Sequence, residues 1–462
     1  MRRTTSLTAA GLLGLALLTP MSSAIAAGET CRGEAATIVG TAPTVMGTEG
    51  RDVIVSAKAT AISGLGGDDL ICIVPAAANF NVLGVDAGVG NDTVDTSAAQ
   101  DYFSITTDLG PGADTFDGGA ADDIVTTGPT ASDGIDGDRD VVRTGDGDDR
   151  VTTGAPYGST NSDVVDAGAG DDRVTLESWS TAPDGLVTGG SGTDTLQTHA
   201  GVAYLEMEVD MAAGVIDGTS SKDYQGDYLT GRFSSFEGLE LEVGNESVDY
   251  SGTAGDDVLE VEHLRSSCCE DPDLTADLLG GDDQVRVSGE LDYRSSIDLG
   301  EGHDELVAAV DDGVLGLDLP SGEMWSGNGG KIPALGIEDA FLMAPRVTMV
   351  GDDRENALSF NACRAIVRGA RGGDHLTNVS GDPWWEEHDF GCKSSAKVSG
   401  GPGADRIRGG QGRDRLAGDG GRDRLEGRGG ADVLLGGRGH DRVDGDKGRD
   451  RCVAEREKSC ER

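Results

Sequence analysis

Six aspartates, Asp405, Asp414, Asp423, Asp432, Asp441 and Asp450, recur every nine residues near the C-terminus. Each holds the sixth position of a nonapeptide, and the copies run without a gap from Gly400 to Val453: GGPGADRIR, GGQGRDRLA, GDGGRDRLE, GRGGADVLL, GGRGHDRVD, GDKGRDRCV. Glycine holds the first position (Gly400, Gly409, Gly418, Gly427, Gly436, Gly445) and the fourth (Gly403, Gly412, Gly421, Gly430, Gly439, Gly448). An apolar residue holds the eighth, with Cys452 in the last copy. Fixed carboxylates beside glycine-rich turns point to a hard cation. Ca²⁺ takes about six to eight oxygens from carboxylates and backbone carbonyls, and no Cys or His occupies these positions to suit zinc or copper.

The elements that must place these oxygens follow from the same phrase. Glycines permit positive φ and a tight turn that aims carbonyls inward. The last three positions, as in Arg406-Ile407-Arg408, alternate polar, apolar, polar, which predicts a short strand with one inward side chain. Two turns and two strands make an eighteen-residue coil, so turns on one edge recur at every second repeat. Calcium is then expected between Asp405 and Asp423, Asp414 and Asp432, Asp423 and Asp441, and Asp432 and Asp450.

The phrase G-G-x-G-x-D-x-U-x, with U apolar, resembles the RTX or hemolysin-type calcium-binding repeat. That resemblance implies an all-β fold, a right-handed parallel β-roll or β-solenoid, with Ca²⁺ as the bound ion. The six glycine pairs and aspartates above are the metal-site residues it implies.

Worn copies fill the rest of the chain. They occur around Asp52, Asp69, Asp92, Asp114, Asp123, Asp149, Asp172, Asp194, Asp257, Asp283, Asp304 and Asp374. Spacing is wider: 22 from Asp92 to Asp114, 23 from Asp149 to Asp172, 22 from Asp172 to Asp194, and 21 from Asp283 to Asp304. This predicts one motif per coil of a larger solenoid, with calcium turns along one edge. Asp92, Asp114, Asp172 and Asp194 are its candidate ligands, and a metal-free structural turn stays open for each worn copy. A longer repeat joins VDMAAGVID, FSSFEGLELEV and VDYSGTAGDDVLEV, then LDLPSGEMW, LGIEDAFLMA and VTMVGDDRENALS. It reads as wider linking coils, with Asn356 replacing the turn aspartate in the second unit.

With 74 glycines and 4% aromatics, the 462-residue chain suits an elongated solenoid rather than one globular core. Expected segments are a signal peptide over 1–27, a degenerate RTX-like solenoid over 28–200, irregular coils over 201–345, and the C-terminal roll with a disulfide clasp over 346–462. Six inward apolar residues are few for ordering the 54 residues of the tandem block, so metal binding and folding are expected to be one equilibrium.

The net charge of −46 sets the chain against nucleic-acid phosphates and anionic lipid. From Lys397 onward, however, 16 Lys and Arg meet 13 Asp and Glu. The seventh-position arginines (Arg406, Arg415, Arg424, Arg442, Arg451) should point outward and offset neighbouring acids, with a partner-binding basic stripe as the alternative.

Arg2-Arg3, the apolar run Ala9 to Leu18 and Ala24-Ile25-Ala26 read as a cleaved secretory signal, so a secreted, extracellular protein without membrane insertion is expected. Many RTX proteins lack such a leader. Eight cysteines then fit disulfides; the expected pairs are Cys31–Cys72, Cys363–Cys392 and Cys452–Cys460, with Cys268-Cys269 undecided.

Catalytic constellations are not evident. The histidines (His199, His263, His303, His375, His388, His440) form no H-E-x-x-H, and no G-x-S-x-G elbow occurs. Trp384-Trp385 with His388 reads as a disulfide-bounded loop. The sequence therefore predicts a non-catalytic calcium-binding protein, structural or adhesive, with a cell-surface or glycan ligand as partner. The alternative is a calcium-dependent lyase or epimerase, whose only plausible place lies between Asp210 and Arg294 (Tyr224, Tyr228, Arg232, His263, Arg265). A cytolysin would need membrane-active segments that the sequence does not show.

Overall fold

The computed structural model describes residues 29–461 except 75–81, 100–103, 129–137, 155–160, 178–184, 200–204, 221–227, 244–246, 264–271, 328–329 and 380–389. The leader, Cys268, Cys269, the Trp384-Trp385 loop with His388, Tyr224 and Arg265 lie outside the described residues, as do the side chains of His199 and His263.

Short strands wind into a parallel β-solenoid with two long sheets. One sheet runs from Thr44–Met46 to Arg456–Lys458 by unbroken parallel pairing. Its inward residues form one row: Val151, Val174, Leu196, Leu239, Leu259, Val285 and Leu306, continuing to Leu376, Ile407, Leu425 and Val443. The opposite sheet supplies Val94, Phe116, Val142, Val165 and Val187 upstream, and Val398, Leu416, Leu434 and Cys452 in the tail. Both rows merge in one hydrophobic cluster extending from Val45 to Val443. Alternation explains this placement: in-register parallel strands put every eighth-position residue above its counterpart one coil away.

The long internal repeat is an inserted antiparallel excursion. Leu205–Asp210, Val215–Ser220 and Tyr228–Ser234 pair antiparallel in succession, as do Val314–Asp318, Glu323–Ser326 and Gly330–Leu335. The solenoid resumes after each, because Val187 pairs with Phe233 and Ile297 with Ala334. Disulfides join Cys31 to Cys72, Cys363 to Cys392, and Cys452 to Cys460, the pairs expected from the sequence. No helix among the described residues is long and apolar enough to cross a membrane.

Candidate metal centre

Turn geometry begins with the second residue of the nonapeptide, which adopts left-handed backbone in every copy except the second, at Gly410. Gly401 and Gly437 do so at φ of 110° and 106°. Asp419, Arg428 and Asp446 take the same position at 70°, 63° and 62°, where only a turn enforced by its neighbours holds a non-glycine residue.

The turn aspartates, all buried, link successive coils. Past the first rung of each ladder, one carboxylate oxygen accepts the backbone amide of the turn residue one coil earlier. Asp405 N donates to Asp423 Oδ1 at 3.0 Å and Asp423 N to Asp441 Oδ1 at 3.0 Å; on the other edge Asp414 N reaches Asp432 Oδ1 at 2.8 Å, and Asp432 N reaches Asp450 Oδ1 at 2.9 Å. All four expected pairs are thus brought together. The worn copies do the same: Asp69 to Asp92 at 2.7 Å, Asp92 to Asp114 at 2.6 Å, Asp149 to Asp172 at 2.8 Å, and Asp172 to Asp194 at 2.9 Å.

The second carboxylate oxygen carries the metal argument. Oδ2 of Asp405, Asp423, Asp432, Asp441 and Asp450 is buried with no hydrogen-bond partner, and so is Oδ2 of Asp69, Asp92, Asp172, Asp194, Asp283, Asp304 and Asp374. A buried carboxylate oxygen left in this way is costly unless a cation answers it. Backbone oxygens converge on the same place. A Cβ at first-position Gly427 would lie 2.7 Å from Asp432 Oδ2 and 2.8 Å from the Gly445 carbonyl oxygen. At Gly409 the distances are 2.6 Å to Asp414 Oδ2 and 2.8 Å to the Gly427 carbonyl. A Cβ at fourth-position Gly403, Gly421 or Gly439 would collide with the carbonyl of Gly372, Gly403 or Gly421, one coil earlier. Glycine is therefore required at both positions because oxygens fill the space a side chain would take.

Electrostatics agree. Burial, reinforced by neighbouring carboxylates, pushes Asp405, Asp432 and Asp172 up to about 7 and Asp69, Asp92 and Asp283 to about 6, despite the amides they accept. Burial likewise raises Asp194 and Asp423. Among the described residues no three His, Cys, Asp or Glu side chains converge on one point. Carbonyls must supply the remaining ligands, as a hard oxygen-seeking ion requires. The donor set fits Ca²⁺.

The structure also places residues that the sequence reading missed or described differently. Asp140 and Asp163 belong to the upstream ladder, with Asp114 N donating to Asp140 Oδ1 at 2.7 Å and Asp140 N to Asp163 Oδ1 at 3.0 Å. Their signal was an aspartate directly before Val-Val, without the glycine two residues earlier. Glu237 and Glu338 are ladder members too: Asp194 N donates to Glu237 Oε2 at 2.9 Å and Asp304 N to Glu338 Oε2 at 3.2 Å. The single upstream edge needs correction. The ladder from Asp52 to Asp163 lies before strands of one sheet, and that beginning at Asp123 lies before strands of the other, so the two edges overlap between them.

Four of the five first rungs, all but Asp123, also differ from interior ones. Asp52 Oδ2 accepts from Thr48 N at 2.7 Å, Asp257 Oδ2 from Thr253 N at 2.6 Å, and Asp414 Oδ2 from Gly410 N at 2.7 Å. Asn356 Oδ1 accepts from Asp352 N at 2.9 Å. In each case an amide four residues back answers the oxygen that stays open in later rungs, so Asp414 is a weaker ligand candidate than Asp423.

Of the proposed enzyme cluster, Tyr228 and Arg232 lie on one strand of the first antiparallel excursion, with Arg232 paired to Val215, and His263 ends Val258–His263.

The RTX calcium-binding nonapeptide repeat family model matches in four copies, over residues 109–129, 157–178, 397–425 and 418–452. No curated protein matches the chain. Asp114, Asp123, Asp163, Asp172 and the six tandem aspartates fall within the matched segments, and the chain is an all-β solenoid bearing RTX calcium-binding nonapeptide repeats.

Proposed function

We propose that this is an exported, non-catalytic calcium protein of structural or adhesive role, whose repeat turns bind Ca²⁺ and fold as they do so. The buried, unpartnered Oδ2 atoms carry the reading. Packing brings carboxylates together in a ladder and gives one oxygen of each an amide, so the other must be answered by an ion. A chain rich in these turns repels itself until cations arrive, and then stacks. The basic–apolar–A-x-A leader and the three disulfides support export into an oxidising, calcium-rich compartment. There, affinities of about 10⁻⁴–10⁻³ M suffice for extracellular modules.

Circular dichroism and hydrodynamic radius of the full-length protein, followed during calcium titration, test this. Compaction with gain of β-signal is expected. An equal response to magnesium at the same concentrations, or full order after exhaustive chelation, would overturn it.

A further inference from the structure

The eighteen-residue coil sorts seventh-position arginines onto two faces, a division the linear sequence conceals. Arg406, Arg424, Arg442 and Arg456 stack in register on consecutive strands of one sheet, with His375 one strand before them. On the opposite sheet the corresponding row reads Lys397, Arg415, Val433, Arg451 and is interrupted. Strands lie about 4.8 Å apart, so the unbroken row is a line of cations at that pitch.

Like charges opposite one another destabilise a sheet, and within this row only Arg406 is answered, by donating to His375 Nε2. All four arginines are exposed, and none makes an ion pair among the described residues. The offset of neighbouring acids expected of these arginines involves no ion pair in this row. Two residues along the same strands the opposite holds: Arg408 pairs with Glu426 at 3.7 Å and Lys458 with Asp444 at 2.6 Å. The sheet thus balances one outward row and leaves the other purely basic. That row also borders a recess of about 710 Å³, to which Arg422 and His440 add from the turns and whose lining includes the ladder carboxylates Asp405, Asp423, Asp441 and Glu455, the first three already answered by calcium in the loaded protein on the preceding proposal.

We propose that this arginine-lined recess binds a linear anionic glycan carrying carboxylate or sulfate groups, aligned with the solenoid axis. Guanidinium forks match such oxyanions bidentately, and their pitch approximates the advance of one pyranose in an extended chain. A recess suits a slender polymer and not a flat membrane. The 49-charge acidic surplus of residues 1–396 opposes a long nucleic acid or an anionic bilayer, whose fields reach beyond the tail. The inference rests on the calcium-folded tail of the preceding reading and adds its ligand.

The test is calorimetric titration of full-length protein in calcium with polygalacturonate oligomers, with heparin fragments and with neutral dextran. Arg424→Gln/Arg442→Gln is compared with the control Arg415→Gln/Arg451→Gln, and circular dichroism verifies folding of every sample. Expected are binding of one or both anionic glycans, none of dextran, a loss of about tenfold or more in the first variant, a shallower salt dependence there, and no change in the control. Equal weakening by both variants would reduce the site to general electrostatics and overturn it. So would absence of glycan binding by a protein that folds with calcium, whereas failure to fold with calcium would sink the underlying reading. Sedimentation showing self-association lost only in Arg424→Gln/Arg442→Gln, without glycan binding, would assign the recess to a second copy of the chain instead.

Discussion

The backbone amide of Asp441 donates to Glu455 Oε2 at 2.9 Å, one strand before the chain's last. Glu237 does the same for Asp194 and Glu338 for Asp304. Three carboxylate ladders therefore end in glutamate, where the chain departs into an excursion or reaches its last strand. Replacing Glu455 by Ala leaves a buried amide without its acceptor. The calcium-loaded protein should lose stability, read as a lower denaturation midpoint, and an unchanged midpoint would contradict this role of Glu455.

Interior and first rungs should differ in calcium count. Asp423 leaves Oδ2 without a hydrogen bond, whereas both Asp414 oxygens accept amides, from Ala396 and Gly410. Asp423→Asn should lower the number of ions bound per chain and raise the calcium midpoint. Asp414→Asn should change the count less. Equilibrium dialysis with calcium quantification of both full-length variants decides this, and identical losses would contradict the distinction.

Acid should act oppositely on the two states. Burial raises Asp405, Asp432 and Asp172 to about 7, so between about pH 4 and pH 7 the folded, metal-free chain holds more protons than the unfolded one. Its stability then falls as pH rises through that window. In chelator, β-signal should grow as pH drops from about 7.5 to about 5. With calcium present, protons compete for the same oxygens and the calcium midpoint should rise. Circular dichroism at both conditions measures each slope.

Neighbouring glycines offer a sharp contrast. A Cβ at Gly421 would collide with the Gly403 carbonyl at a φ of 147°, while one at Gly420 meets nothing within 4 Å. Gly421→Ala should cost several kcal/mol and raise the calcium needed for folding, through both backbone strain and lost approach. Gly420→Ala should be nearly neutral. Thermal melts in saturating calcium distinguish them.

Much of this was legible in the linear chain, because a strict nine-residue phase dictates local geometry without help from distant residues. Gly400 to Asp450 announced tight turns, their oxygens, the eighteen-residue coil and the pairs Asp405–Asp423 and Asp414–Asp432. Cysteine placement foretold three disulfides. The tertiary structure decided what depends on which coil lies against which. Glu237 and Glu338 enter the ladder only because whole antiparallel excursions fold aside and return the chain in register, 43 and 34 residues after their partners. Asp52 and Asp414 begin their ladders because the coil before each sets an alanine, Ala36 or Ala396, at that register and not an aspartate. The four stacked arginines share a face only because alternate repeats go to alternate sheets. Short-range periodicity sets the turn, but adjacency between coils, which determines where charge accumulates and which oxygen stays open for an ion, exists only once the chain is wound.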